Sequence, residues 1–200
     1  MDSDNKLTLT TWLVIANIVL YTISAIISLN PIFINQDFLV YFGQYNKFVL
    51  ERFYFWQLFT AMFFHFDLAH LLGNMVFLLL YGYRCEDFFS PSQYLIIYFT
   101  SGFIGNFLSL FLGVNVLTAG SSGAIFGLLG AVLYAIKIEE KRNFNQTLFI
   151  GFIFLIFAGI RYDVNPISHW MGFVIGIFIS YLFIKKFREK QLKTKFKRTQ

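Results

Sequence analysis

Long uncharged apolar runs, separated by short polar or charged breaks, dominate this chain. A helix needs roughly 20 mostly apolar residues to cross the hydrocarbon core of a bilayer, and six runs fit that pattern. Leu9–Leu29 ends ahead of Asn30-Pro31, and a second run from about Ala69 to Tyr83 closes with Arg84, Glu86 and Asp87. Ser92–Leu112 opens with Ser90-Pro91, a cap followed by a proline start. Gly120–Ile136 and the shorter Thr147–Ile160 come next, and Ile167–Ile184 is entered through Asn165-Pro166. The pattern predicts an all-α polytopic membrane protein, a six-transmembrane-helix bundle forming a single membrane domain over 1–200. Met1–Lys6 carries Asp2 and Asp4 against one lysine, and no small-x-small cleavage site follows, so the first run is expected to be a retained span.

Between the first two runs, residues 31–67 are rich in aromatics (Phe33, Phe38, Tyr41, Phe42, Tyr45, Phe48, Phe53, Tyr54, Phe55, Trp56) yet interrupted by Asn35, Gln36, Asp37, Gly43 and Glu51. Such a segment suits the membrane interface, with its rings at headgroup depth. Composition agrees: 57% of the 200 residues are hydrophobic and only 14% charged, against about 25% charged in a soluble domain. One cysteine, Cys85, excludes an internal disulfide framework, and three histidines leave little for a metal cage. Neither a metal nor another cofactor is expected.

Charge placement predicts orientation. With six spans, one side of the membrane holds 13 Lys and Arg, among them the eight in 185–200, and the other holds only Lys47, Arg52 and Arg161. The positive-inside tendency then puts both termini in the cytoplasm and 31–67 outside. The basic tail 185–200 reads as a topology anchor at anionic lipid rather than a nucleic-acid surface. Heavy use of Phe, Ile, Asn and Lys suggests an AT-rich bacterial genome, hence a bacterial plasma membrane.

Polar side chains inside a span are costly and are functional candidates by default. Those that stand out are His70 and Asn74 on the second span, Ser122 on the fourth and His169 on the sixth. His70, Ser122 and His169 lie 14, 15 and 16 residues before Arg84, Lys137 and Lys185, the cations that close their spans. At 1.5 Å per residue these separations are about 21–24 Å, which gives all three one depth, ~6–9 Å below the outer surface. Gly123-x-x-x-Gly127, with Ala124 and Ala131, and Gly172, Gly176 and Ser180 at four-residue spacing form small faces that allow close helix approach. Each residue also has a plainer reading. A membrane-helix serine ordinarily bonds its own backbone, Gly-x-x-x-Gly alone signals packing, and Asn74 could simply bridge helices. His65 reads as a tie between the outer loop and the bundle, Glu86 as a structural acceptor, and Trp12 and Trp170 as interface or packing aromatics.

Serine becomes nucleophilic when a base takes its proton, and histidine is the usual base. No carboxylate lies at the shared depth to orient His169, since Asp163 falls in an outer loop and Asp67 near His65 and His70. The reading is therefore a Ser122–His169 dyad. Gly120-Ser121-Ser122-Gly123 puts the hydroxyl at a helix start, where free amides favour an oxyanion. His70 and Asn74, at i and i+4, share a face and could donate to the same oxygen.

From about Trp56 to Gly176 the chain resembles the rhomboid family of intramembrane serine proteases, in its minimal six-span form. The resemblance rests on His65-Phe66-Asp67-Leu68-Ala69-His70-Leu71-Leu72-Gly73-Asn74, on Gly120-Ser121-Ser122-Gly123, and on Ser168-His169-Trp170-Met171-Gly172 followed by Gly176. It implies a six-helix bundle with a water-filled cavity open to the outside. It also implies Ser122 as nucleophile, His169 as general base, and His70, Asn74 and the Ser122 amide as the oxyanion hole, with Phe126 stacked on His169. Gln57 stands where many members carry the arginine that anchors the interfacial loop. The expected activity is endopeptidase cleavage of transmembrane segments near the outer membrane face, so the partners are transmembrane protein substrates and the lipid bilayer. The alternative is a proteolytically inactive rhomboid-like protein that binds or guides membrane proteins. A transporter, a third possibility, predicts paired charges and broken helices at the midplane, and the polar residues here lie nearer the outer face.

Overall fold

A computed structural model describes residues 8–139 and 165–198. Helix α1 (Leu9–Ile27) begins at Thr8, whose side chain accepts from Thr11 N, and ends ahead of Asn30-Pro31. The segment 31–67, expected on the outer side, holds three short helices, α2 (Gln36–Phe42), α3 (Asn46–Arg52) and α4 (Gln57–Thr60). The long helices α5 (Leu68–Phe88), α6 (Pro91–Ser109), α7 (Ser122–Glu139) and α8 (Pro166–Arg198) follow. The described residues are mostly helical, with one small exception. Strand β1 (Gln44–Tyr45) pairs antiparallel with β2 (Leu117–Thr118), with Gln44 opposite Thr118. This two-residue ribbon fastens the outer segment to the chain that leads into α7.

Helix α7 is the centre of the bundle and packs against α8, α6 and α5, while α1 packs on α5. Every residue from Gly123 to Leu133 is buried. A helix that is apolar all round belongs in such an interior, and the small residues Gly123, Ala124, Gly127, Gly130 and Ala131 let its neighbours close in.

Among the described residues, three helices are long and apolar enough to cross a membrane: α1, α6 with its 3₁₀ extension to Leu112, and α8 over Pro166–Lys190. Helix α5 has 21 residues, enough length, but carries His70, Asn74, Arg84, Glu86 and Asp87. The span expected at Thr147–Ile160 lies outside the described residues. Two helices run on beyond the expected apolar spans. Helix α5 runs past Tyr83 to Phe88, with Arg84 paired to Asp87 at 3.0 Å within its last turns. Helix α8 does not end at Ile184 but runs on to Arg198, because Lys, Arg, Gln and Glu are good helix formers. The basic tail is thus continuous with the last apolar helix. About half of the aromatic segment 31–67 is helical, in α2–α4, and rings such as Phe53, Phe55 and Trp56 remain more than half exposed, as interfacial anchors do.

Candidate active site

Close contact of α7 and α8 builds the site. A Cβ placed on Gly172 or Gly176 would strike the carbonyl oxygen of Gly123 or Gly127, so only glycine permits this backbone-to-backbone approach. Further along the same seam, Ser180 Oγ donates to Ala131 O at 3.1 Å. At the N-terminal end of both helices the approach brings His169 Nε2 within 2.7 Å of Ser122 Oγ. Ser122 is the first residue of α7, so backbone amides of the first turn have no intrahelical partner. His169 is buried, and its ring rests on Phe126 with centroids 4.6 Å apart at 36°. Among the described residues no carboxylate is hydrogen-bonded to His169.

Helix α5 supplies the second wall. Asp67 caps it, its Oδ1 accepting from His70 N at 2.7 Å, and this fixes where His70 and Asn74 emerge. Asn74 Nδ2 donates to His70 O at 3.1 Å. Both side chains stand against the turn that leads into Ser122. Gly120 has φ +125°, and a Cβ there would sit 2.9 Å from His70 Nε2 and 3.5 Å from Asn74 Nδ2. Glycine is required at this position twice over, by backbone conformation and by space. The turn is further pinned by Gly120 N, which donates to Ala61 O at 2.8 Å. Behind His70, the buried ring of His65 lies 5.3 Å away, edge to face. Burial and the facing His70 imidazole push the His65 pKa well below its ordinary value, so at neutral pH this ring is uncharged.

The four candidate residues therefore converge: Ser122 bonds His169, and His70 and Asn74 border the turn beside them. Other sequence candidates take structural positions. Glu86 Oε1 accepts from Thr10 N at 2.8 Å and from Thr10 Oγ1 at 2.5 Å, joining α5 to α1. Trp12 and Trp170 are about half exposed, and Cys85 is a buried free thiol. Among the described residues no group of His, Cys, Asp and Glu could hold a metal ion.

Several buried polar residues support the site, and of these only Gln57 was singled out in the sequence. Gln57 is fully buried and accepts from Tyr45 N at 3.0 Å, while its Nε2 donates to Val40 O at 2.8 Å and Tyr41 O at 3.1 Å. A neutral amide thus ties together the segment between α1 and α5. Asn106, inside α6, donates from Nδ2 to Leu58 O at 3.0 Å and accepts from Ser168 Oγ at 3.2 Å. Gln44 Nε2 reaches Asn106 O and Ser109 Oγ, each at 2.9 Å. The available signal was the cost of an amide side chain inside an apolar run, the same one that marks His70 and Asn74.

A sequence profile of the rhomboid domain matches residues 52–186. Rhomboid-like protease 3 of Toxoplasma gondii is 28% identical over 175 residues, 83% of this chain and 65% of that protein. Rhomboid protease GluP of Bacillus subtilis (strain 168) is 30% identical over 149 residues, 72% of this chain and 29% of its own length. RHOMBOID-like protein 4 of Arabidopsis thaliana is 36% identical over 135 residues, 64% of this chain and 34% of that protein. The matches thus cover at most 65% of these relatives' own lengths. With the profile matched across two thirds of its length, this chain belongs to the rhomboid family and is an integral membrane protein.

Proposed function

We propose that this protein is an intramembrane serine endopeptidase that hydrolyses transmembrane segments of other membrane proteins near the outer side of the bilayer. The observation that carries the reading is the 2.7 Å bond between Ser122 Oγ and His169 Nε2 at the N-terminus of α7. The serine hydroxyl donates to Nε2, which leaves the imidazole proton on Nδ1. As Ser122 Oγ attacks the substrate carbonyl carbon, its proton passes to His169 Nε2. The carbonyl oxygen becomes an oxyanion, held by the Ser122 amide with His70 and Asn74. His169 then protonates the departing amine, and a water molecule activated by the same nitrogen hydrolyses the acyl-enzyme. Phe126 packs against the His169 ring and restricts its movement. No cofactor takes part.

The polytopic reading comprises six spans: α1, α5, α6, α7, the run at 147–160, and α8. The 13-to-3 asymmetry of Lys and Arg supports cytoplasmic termini, with 31–67 outside and the dyad near the outer face. Residue usage fits a bacterial plasma membrane. A proteolytically inactive relative has no need of a preformed serine–histidine bond, which favours the hydrolase.

The test is cleavage of a single-pass substrate in liposomes, wild type beside Ser122→Ala and His169→Ala. Wild type is expected to cut near the outer boundary, with each variant down by about 10⁴-fold or more. Equal cleavage by wild type and Ser122→Ala, or none by wild type, overturns the hydrolase and favours the substrate-guiding alternative.

A further inference from the structure

Glycine seams fix how close two helices come, but they leave axial register weakly defined. Ridges of side chains seated in grooves help to set register, and along the line where the backbones touch α7 and α8 meet through Gly123, Gly127, Gly172 and Gly176, which offer none, while Phe126, Leu129, Leu133 and Phe173 pack beside it. Directional bonds at the ends of the seam define register more sharply than apolar packing does. One lies at the outer end. Asn165 stands four residues before His169, and Thr118 stands four before Ser122. Asn165 Nδ2 donates to Thr118 Oγ1 at 2.9 Å. The same Asn165 side chain caps α8, its Oδ1 accepting from Ser168 N at 3.0 Å, and its carbonyl accepts from His169 N at 3.3 Å. One amide group thus closes the first turn of α8 and grips the last residue of β2. Both residues are buried, at 8% and 7% exposure, so water competes poorly for the bond.

Each half is separately anchored elsewhere. Thr118 pairs with Gln44 in the ribbon, and Ser168 Oγ donates to Asn106 at 3.2 Å. Those anchors hold each segment to the outer part of the bundle but not directly to the other. The Asn165–Thr118 bond joins them, four residues upstream of the reacting atoms on both sides.

We propose that Asn165 and Thr118 are positioning residues that set the register of α8 against α7, and with it the separation of Ser122 Oγ from His169 Nε2. The proposal rests on the hydrolase reading above. Thr118→Val removes the hydroxyl while keeping side-chain volume and strand geometry, and it leaves the Asn165 cap in place. Expected is a kcat about ten-fold lower at unchanged KM, since a slip of a few tenths of an ångström weakens attack without touching substrate binding. Amide hydrogen exchange over 119–122 should rise, and Thr118→Ser should restore both readouts. A merely structural role would lower thermal stability without the split between kcat and KM and without rescue of kcat by serine. Wild-type kcat in Thr118→Val, a change confined to KM, or unchanged exchange at 119–122 overturns the clasp while leaving the hydrolase standing. If wild type cleaves no faster than Ser122→Ala, the hydrolase reading itself has failed, and the positioning role is overturned with it.

Discussion

Replacing Gly172 by alanine tests whether the glycine seam sets the catalytic geometry. The added methyl would fall on the carbonyl oxygen of Gly123, with the carbonyl carbon at 2.9 Å and Cα at 3.3 Å. An ordinary carbon-to-oxygen contact is about 3.3–3.6 Å, so relief requires α7 and α8 to part by roughly 1 Å. The obstacle is backbone, so no rotamer change absorbs it. Gly123 adjoins Ser122 and Gly172 lies three residues beyond His169, so the shift passes almost undiminished to the pair. A 2.7 Å bond opened by that amount becomes about 3.7 Å, beyond hydrogen-bond reach. Misplacement by 1 Å costs about 10²-fold in rate, equivalent to about 2.7 kcal/mol of barrier. Overpacking should also cost about 1–3 kcal/mol of stability. The assay is kcat and KM for a single-pass substrate in liposomes, beside Tm in detergent. Gly73→Ala is the matched control, because a Cβ at Gly73 meets nothing within 4 Å. Its kcat should stay within about two-fold of wild type. Wild-type kcat in Gly172→Ala would refute the claim that helix separation governs the serine–histidine distance.

Gln57→Ala strips three hydrogen bonds from a fully buried position and leaves Tyr45 N and two carbonyls without them. A loss of about 1–3 kcal/mol is expected from denaturant or thermal unfolding, and a change below about 0.5 kcal/mol would mean the loop is held elsewhere. A fluorophosphonate probe should label Ser122, with labelling nearly abolished in His169→Ala and only slowed in Asn74→Ala, which removes one of several oxyanion donors. Normal labelling of His169→Ala would sink the dyad. In a Cys85→Ser background, single cysteines in 31–67 should react with an impermeant reagent from outside, and those in the basic end of α8 only after permeabilisation. Outside labelling at 191–198 would reverse the charge argument for topology.

Much of this molecule is legible along the chain because membrane insertion is read locally. An apolar run long enough to span, with a cap at one end and charge at the other, specifies a helix whatever it packs against. Leu9–Ile27 and the start of α6 at Ser90-Pro91 follow from that alone, as does the pairing of small faces on α7 and α8. The candidate chemistry was equally visible, since His70, Asn74, Ser122 and His169 are polar side chains where lipid penalises them. Tertiary structure decided what each one meets. Gly120 lies against α5 in a turn pinned to Ala61, and Gln57 is held among three backbone partners, Tyr45 N, Val40 O and Tyr41 O. The Asn106, Asn165 and Thr118 bonds join residues 47 to 62 positions apart, a separation no hydropathy pattern encodes. The extension of α8 beyond Ile184 was likewise hidden. Hydropathy marks where a helix leaves lipid, whereas backbone hydrogen bonding and the helix propensity of Lys, Arg and Glu decide where it ends.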